Sequence, residues 1–169
     1  MNRRYFIGCA TFVGVVLIAV AASAQSTTFE RKIVTSSAAR QIVDHCVATA
    51  EADFPMPIAV AVVDPYGILV EFHAMQGANE TTGTTALLKA KTAARWRRSS
   101  TSVNQMVTSG ENQAPFWIGD FPQPGGMPIM VDGLVVGAVG VGGPASRGDP
   151  CAIAAIESVF GAGSTPPQE

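Results

Sequence analysis

The sequence predicts an α+β domain, an antiparallel sheet with helices packed on it. Three observations carry that prediction. Residues 58–73 pair as a hairpin around Asp64-Pro65-Tyr66-Gly67, and residues 127–141 pair around Asp132-Gly133. Apolar residues recur at helical spacing before, between and after these hairpins. The element order is therefore α-β-β-α-α-β-β-α, and neither hairpin is a β-α-β unit, which excludes a doubly wound sheet.

Each element has its own signal. Thr35, Ser36 and Ser37 offer N-cap oxygens, and Ala39, Ile42, Val43, Cys46, Val47 and Ala50 form the stripe of a first helix. Pro55 ends it, because the residue before a proline is pushed out of the α region. Residues 58–63 are a short β-branched run, read as a buried strand. After the turn, Ile68, Val70 and Phe72 alternate with Leu69, Glu71 and His73, which predicts two distinct strand faces. Residues 84–96 carry a largely small-residue helical stripe of Ala86, Leu87, Ala90, Ala93 and Ala94, and a second short helix spans 102–109. Residues 110–125 read as a loop bearing Pro115, Phe116, Trp117 and Phe121. Asp132-Gly133 is a two-residue hairpin turn. The strand after it, residues 134–141, shows no polar alternation, so both of its faces must be covered, by its own helices or by another subunit. Asp149 is expected to cap a last helix with Pro150 at its first position.

Composition bounds the function. The chain has 169 residues, room for one domain with a proper core. Hydrophobic residues at 47% against 14% charged exclude intrinsic disorder. A formal charge of −2 and a pI near 5.6 argue against a nucleic-acid partner. Three cysteines are too few for a disulfide scaffold.

The first residues read as a targeting segment. Arg3 and Arg4 precede an apolar run from Phe6 to Val20, and Ala22-Ser23-Ala24 forms a small-x-small cleavage site. Residues 1–24 are expected to be a signal peptide, giving a periplasmic or secreted protein with no stable membrane anchor after cleavage. Arg3-Arg4-Tyr5-Phe6-Ile7 also resembles the twin-arginine export pattern. Cleavage would remove Cys9 and leave Cys46 and Cys151, a pair that permits one disulfide in an oxidising compartment. Residues 33–161 then form the domain, and 162–169 a flexible tail.

No catalytic constellation is self-evident. There is no Gly-x-Ser-x-Gly, no phosphate-binding glycine loop and no zinc-ligand spacing. What remains is a ligand-site inventory. His73, at a strand end, suits a metal or haem ligand, although a solvated strand-end histidine is the commoner case. His45 falls opposite the stripe of the first helix and reads as a surface residue. Arg95, Arg97 and Arg98 complement the dipole at the end of their helix, or grip the carboxylates of a ligand. The loop bearing Phe116, Trp117 and Phe121 covers either a flat ligand, a neighbouring subunit or its own core.

Four segments together resemble the GlcG/HbpS family of small haem-binding proteins. They are Pro57-Ile58-Ala59-Val60-Ala61-Val62-Val63-Asp64 with Gly67, Ala86 with Lys89-Ala90-Lys91-Thr92-Ala93, Gly125-Gly126-Met127-Pro128-Ile129, and Asp132-Gly133 leading through Val136-Gly137-Ala138-Val139-Gly140-Val141. The resemblance spans most of residues 33–160. It implies a profilin-like fold, assembly as a homo-oligomer, and non-covalent binding of haem or a related tetrapyrrole, for haem capture or redox sensing. Lys89 and Thr92 match the motif and enter as pocket candidates. On this reading the haem slot lies between residues 86–96 and the loop of Trp117. Arg95 or Arg98 takes the propionates, and His73 is the nitrogen ligand to the metal. The family's fold also brings the helices of Cys46 and Cys151 together. The alternative is an enzyme or accessory protein of small-acid or aromatic catabolism without haem.

Overall fold

A computed structural model of the chain describes residues 30–167. The described residues from Arg31 onward form one compact unit. The predicted signal segment, residues 1–24, lies outside the described residues. Among those described, no helix is long and apolar enough to cross a membrane.

Nine elements follow in order: α1 (Ser36–Asp53), β1 (Ala59–Val63), β2 (Leu69–Ala74), α2 (Glu80–Trp96), α3 (Ser100–Thr108), α4 (Ala114–Trp117), β3 (Gly126–Val131), β4 (Leu134–Gly142) and α5 (Ala145–Phe160). The predicted order holds, with α4 added inside the expected loop. The Thr35 side chain caps α1 by accepting from Ala38 N–H. Helix α2 begins at Glu80, four residues before the predicted start at 84, where Asn79 Oδ1 accepts from Thr82 N–H at 2.9 Å. Threonine and glycine are poor helix formers, so propensity alone misses this first turn and the cap supplies it.

The start of α5 corrects the sequence reading. Pro144 is the N-cap, and Pro150 sits inside the helix. Asp149 does not cap, because its carboxylate is taken by donors from elsewhere in the fold. Gly125 N–H donates to Oδ1 at 2.5 Å, and the Thr101 hydroxyl donates to Oδ2.

The sheet order is β2-β1-β4-β3, all neighbours antiparallel. Helices α1 and α5 cover one face, where Val60, Val62, Met127, Ile129, Val139 and Val141 meet Ile42 and Ile156. Helix α2 covers the other, where Ala59, Ala61, Val63 and Ala138 meet Ala86, Ala90 and Ala93. The apolar strand β4 is thus covered on both faces by helices of its own chain and needs no second subunit for that purpose.

Strand β2 is a sheet edge, and a bulge resets its faces. The register skips Val70, pairing Val63 with Leu69 but Val62 with Glu71. One extra residue in a strand shifts every following side chain to the opposite face. Leu69 and Phe72 therefore share the α2 face, whereas the sequence alternation had placed them on opposite faces. Glu71 and His73 take the α1 side, where Glu71 pairs with Arg40 at 2.8 Å. Beyond α5 the chain stays on the domain, with Met130 N–H donating to Ser164 O at 2.7 Å.

Candidate functional site

Helix α2 presents two different surfaces. Its inner surface meets backbone that lacks side chains. A Cβ on Gly140 would fall 2.0 Å from Ala86 O, and one on Gly126 would fall 2.5 Å from Lys89 O. The glycines of β3 and β4 are what lets the helix sit directly on the sheet. Lys89 is buried here, and its ammonium donates to Val141 O at 3.0 Å. Burial pushes its pKa below the ordinary lysine value, and the nearby Asp149 carboxylate opposes that shift. Ser100 Oγ donates to Gln123 O and accepts from Gly126 N–H at 2.8 Å. Thr92 Oγ1 donates to Leu88 O and accepts from Phe121 N–H at 2.9 Å. Thr92 of α2, Ser100 of α3 and Asp149 of α5 thus tie the 121–126 loop to three helices, while Lys89 ties α2 to β4. Each polar group in this buried knot is satisfied, as a low-dielectric site demands.

The outer surface of α2 is open. Gly83, Thr84, Leu87, Lys91 and Arg95 recur at helical spacing and face the edge strand. Leu69 and Phe72 of β2 with Glu80, Gly83, Thr84 and Leu87 of α2 line a largely apolar cavity of about 360 Å³. Leu69 is 47% and Phe72 41% exposed, so two large apolar side chains stand in water. Gly83 leaves the gap, since a Cβ there would lie 3.4 Å from Phe72 Cζ. One helical turn on, Tyr66, Ile68, Lys91 and Arg95 line a second cavity of about 380 Å³. The two linings follow one another in sequence at Ile68 and Leu69 and one helical turn apart at Leu87 and Lys91, and we take the pair as a groove that is largely apolar at one end and cationic at the other.

Most cationic side chains of the described residues are engaged. Lys32 pairs with Asp132, Arg40 with Glu71, and Arg31 and Arg147 lie over the rings of Tyr66 and Phe54. Arg95 donates to Asp120 Oδ1 at 2.7 Å and to Ile118 O at 3.3 Å. The Asp120 side chain is only 2% exposed and also accepts from Trp96 Nε1 at 2.6 Å. Lys91, Arg97 and Arg98 have no side-chain partner among the described residues.

The residues singled out from sequence do not form one constellation. Lys89, Thr92 and Arg95 share α2, but the first two belong to the buried knot and the third bonds to the loop. Those bonds bring the loop of Trp117 directly onto the helix, and Trp117 itself, on α4, is 85% exposed. Arg98 is exposed beside Arg97 in a cavity of about 260 Å³ at the start of α3. His73 is exposed on β2, in register with Val60, and so lies on the α1 side of the sheet, away from the groove. Cys46 and Cys151 are both buried, with Cα atoms 5.6 Å apart, inside the range that a disulfide spans. The sequence reading missed Leu69, Phe72, Leu87 and Lys91 as groove residues. Leu87 was grouped with the alanine stripe, and the structure turns it to the outer surface, where its size, unlike that of the alanines, does not have to fit against the sheet.

Over residues 34–157 the sequence matches the family model described as haem degrading protein HbpS-like. No curated protein matches it in a sequence comparison. Among solved structures, HbpS is 26% identical, with a TM-score of 0.72 over 83% of this chain and 99% of that one. A double mutant of HbpS from Streptomyces reticuli is 24% identical, with a TM-score of 0.73 over 85% and 99%. PduOC in complex with heme is 20% identical, with a TM-score of 0.70 over 81% and 99%. With the motifs, the fold and the family model in agreement, the chain belongs to the HbpS-like family.

Proposed function

We propose that this protein is exported and captures haem, or a related tetrapyrrole, non-covalently in the groove between α2 and β2. The observation that carries the proposal is the groove's polarity, with Leu69, Phe72 and Leu87 at one end and Lys91 with Arg95 at the other. Haem is an apolar disc with two carboxylates, and a site for it needs an apolar slot with cations at its rim. The family description and the heme complex of PduOC support the same ligand.

Titration of the purified protein with haem tests this. A saturable Soret change is expected, weakened at least tenfold by Leu87→Asp. No saturable binding in the wild type ends the reading, and an unaffected Leu87→Asp moves the site elsewhere.

Export rests on Arg3-Arg4, the apolar run and Ala22-Ser23-Ala24, and N-terminal sequencing of the exported form is expected to begin at Gln25. In that compartment we propose a Cys46–Cys151 disulfide, supported by the Cα separation of 5.6 Å. Thiol titration of unfolded, unreduced protein should find no free thiol. Assembly into a homo-oligomer is supported by the family resemblance and by the apolar Phe116, Trp117 and Ile118 left in water. Sedimentation giving a monomer at micromolar concentration would exclude it.

A further inference from the structure

We infer that the groove recognises its ligand by the macrocycle and a single carboxylate held by Lys91, and not by iron, so that metal-free porphyrin binds there as well as haem does. This inference rests on the groove being the tetrapyrrole site.

The first argument is the position of the iron ligands. Protein-held haem iron takes His, Cys, Met or Tyr. His73 stands on the opposite face of β2, in register with Val60, and His45 lies on α1. Cys46 and Cys151 are buried between α1 and α5. No methionine lines either cavity of the groove. Residues 25–29 and 168–169, outside the described part of the mature chain, contain no His, Cys, Met or Tyr. At the apolar end, where the centre of the disc would lie, the polar groups are Glu80 and Thr84. Neither is a haem-ligand type, and the Thr84 hydroxyl donates to Glu80 Oε1 at 2.5 Å. Tyr66 is the remaining haem-type ligand, and it stands at the cationic end with Arg31 over its ring at 4.5 Å.

The second argument is charge. Arg95 is spent on the buried carboxylate of Asp120, which leaves Lys91 as the one groove cation without a partner among the described residues. A ligand with two carboxylates can therefore place one against Lys91 while the other stays in water. An ammonium offers donors and no lone pair, so Lys91 in that state holds a carboxylate and does not ligate iron. What remains to hold the ring is apolar contact with Leu69, Phe72 and Leu87, which is the same for a porphyrin with or without a metal.

The test compares haem, followed by Soret absorbance, with protoporphyrin IX, followed by its fluorescence, on the same wild-type protein. The expected result is dissociation constants within tenfold of each other. Lys91→Glu should weaken both about tenfold and equally, and porphyrin dimethyl ester should be insensitive to that substitution. Tyr66→Phe and His73→Ala should leave the spectrum of bound haem unchanged. Haem binding more than tenfold tighter than protoporphyrin IX, or a spectral change in Tyr66→Phe or His73→Ala, overturns this inference and leaves the proposed function standing. Absence of saturable binding by either compound overturns both.

Discussion

The two surfaces of α2 are built by opposite rules. The inner one carries Ala86, Lys89, Ala90, Thr92 and Ala93, all buried, against the glycines of β3 and β4. The outer one carries Leu87, Lys91 and Arg95 along a groove where apolar side chains meet water. The family motif lies on the inner surface, with one exception, Lys91. Its lysine and threonine are fixed by hydrogen bonds to Val141 O and Phe121 N–H, so they build the platform and do not line the groove. Residues that make a motif recognisable need not be those that touch the ligand.

Breaking the inner surface should have the largest effect. Gly140→Ala puts a Cβ against the backbone of α2, 2.0 Å from Ala86 O and 2.5 Å from Ala90 N, and neither atom can yield without lifting the helix. A loss of more than about 4 kcal/mol is expected, seen as a collapsed chemical-denaturation midpoint. Asp149→Ala removes the acceptor of Gly125 N–H and of the Thr101 hydroxyl, which should cost about 3 kcal/mol in the same assay.

Lys89→Met separates charge from packing. Burial lowers the Lys89 pKa, so between that lowered value and the ordinary 10.5 the unfolded chain binds more protons than the folded one. Stability contributed through this group therefore rises as pH increases across that window. The wild type should gain stability on going from neutral pH toward pH 10 relative to Lys89→Met, measured by denaturation at each pH. An identical pH profile in the two proteins would remove Lys89 as the cause.

On the outer surface, stability and binding should come apart. Lys91→Glu is expected to change stability by less than about 0.5 kcal/mol, as exposed substitutions usually do. The same protein should lose roughly tenfold in ligand affinity, a difference of about 1.4 kcal/mol. His73→Ala should change neither, because the side chain is exposed on the far face of β2. A shifted Soret band in that variant would return the ligand site to the α1 side of the sheet.

Much of this was legible in the chain itself. Local patterns determined the helices, both hairpins and the Asp132-Gly133 turn, because caps, periodicity and turn residues act over a few neighbours. The run of apolar residues in β4 correctly announced a strand covered on both faces. The number of helix layers available, which decides whether another subunit is needed, depends on how the whole chain packs. Asp149 illustrates a similar limit: its place before a proline suggested a cap, but Gly125 and Thr101, distant in sequence, claim its carboxylate.

The site was less legible for the same reason. A bulge at Val70 moves Leu69 and Phe72 onto one face, and strict alternation in the sequence cannot announce where it will break. Arg95 looked free until the fold brought Asp120 beside it, 25 residues further along the chain. The sequence by itself determined every element but α4, their order and the glycine and alanine positions that let α2 lie on the sheet. Only the tertiary structure decided which cations remain unpaired and which apolar side chains share a groove, because both depend on neighbours that are remote in sequence and meet only when the sheet forms.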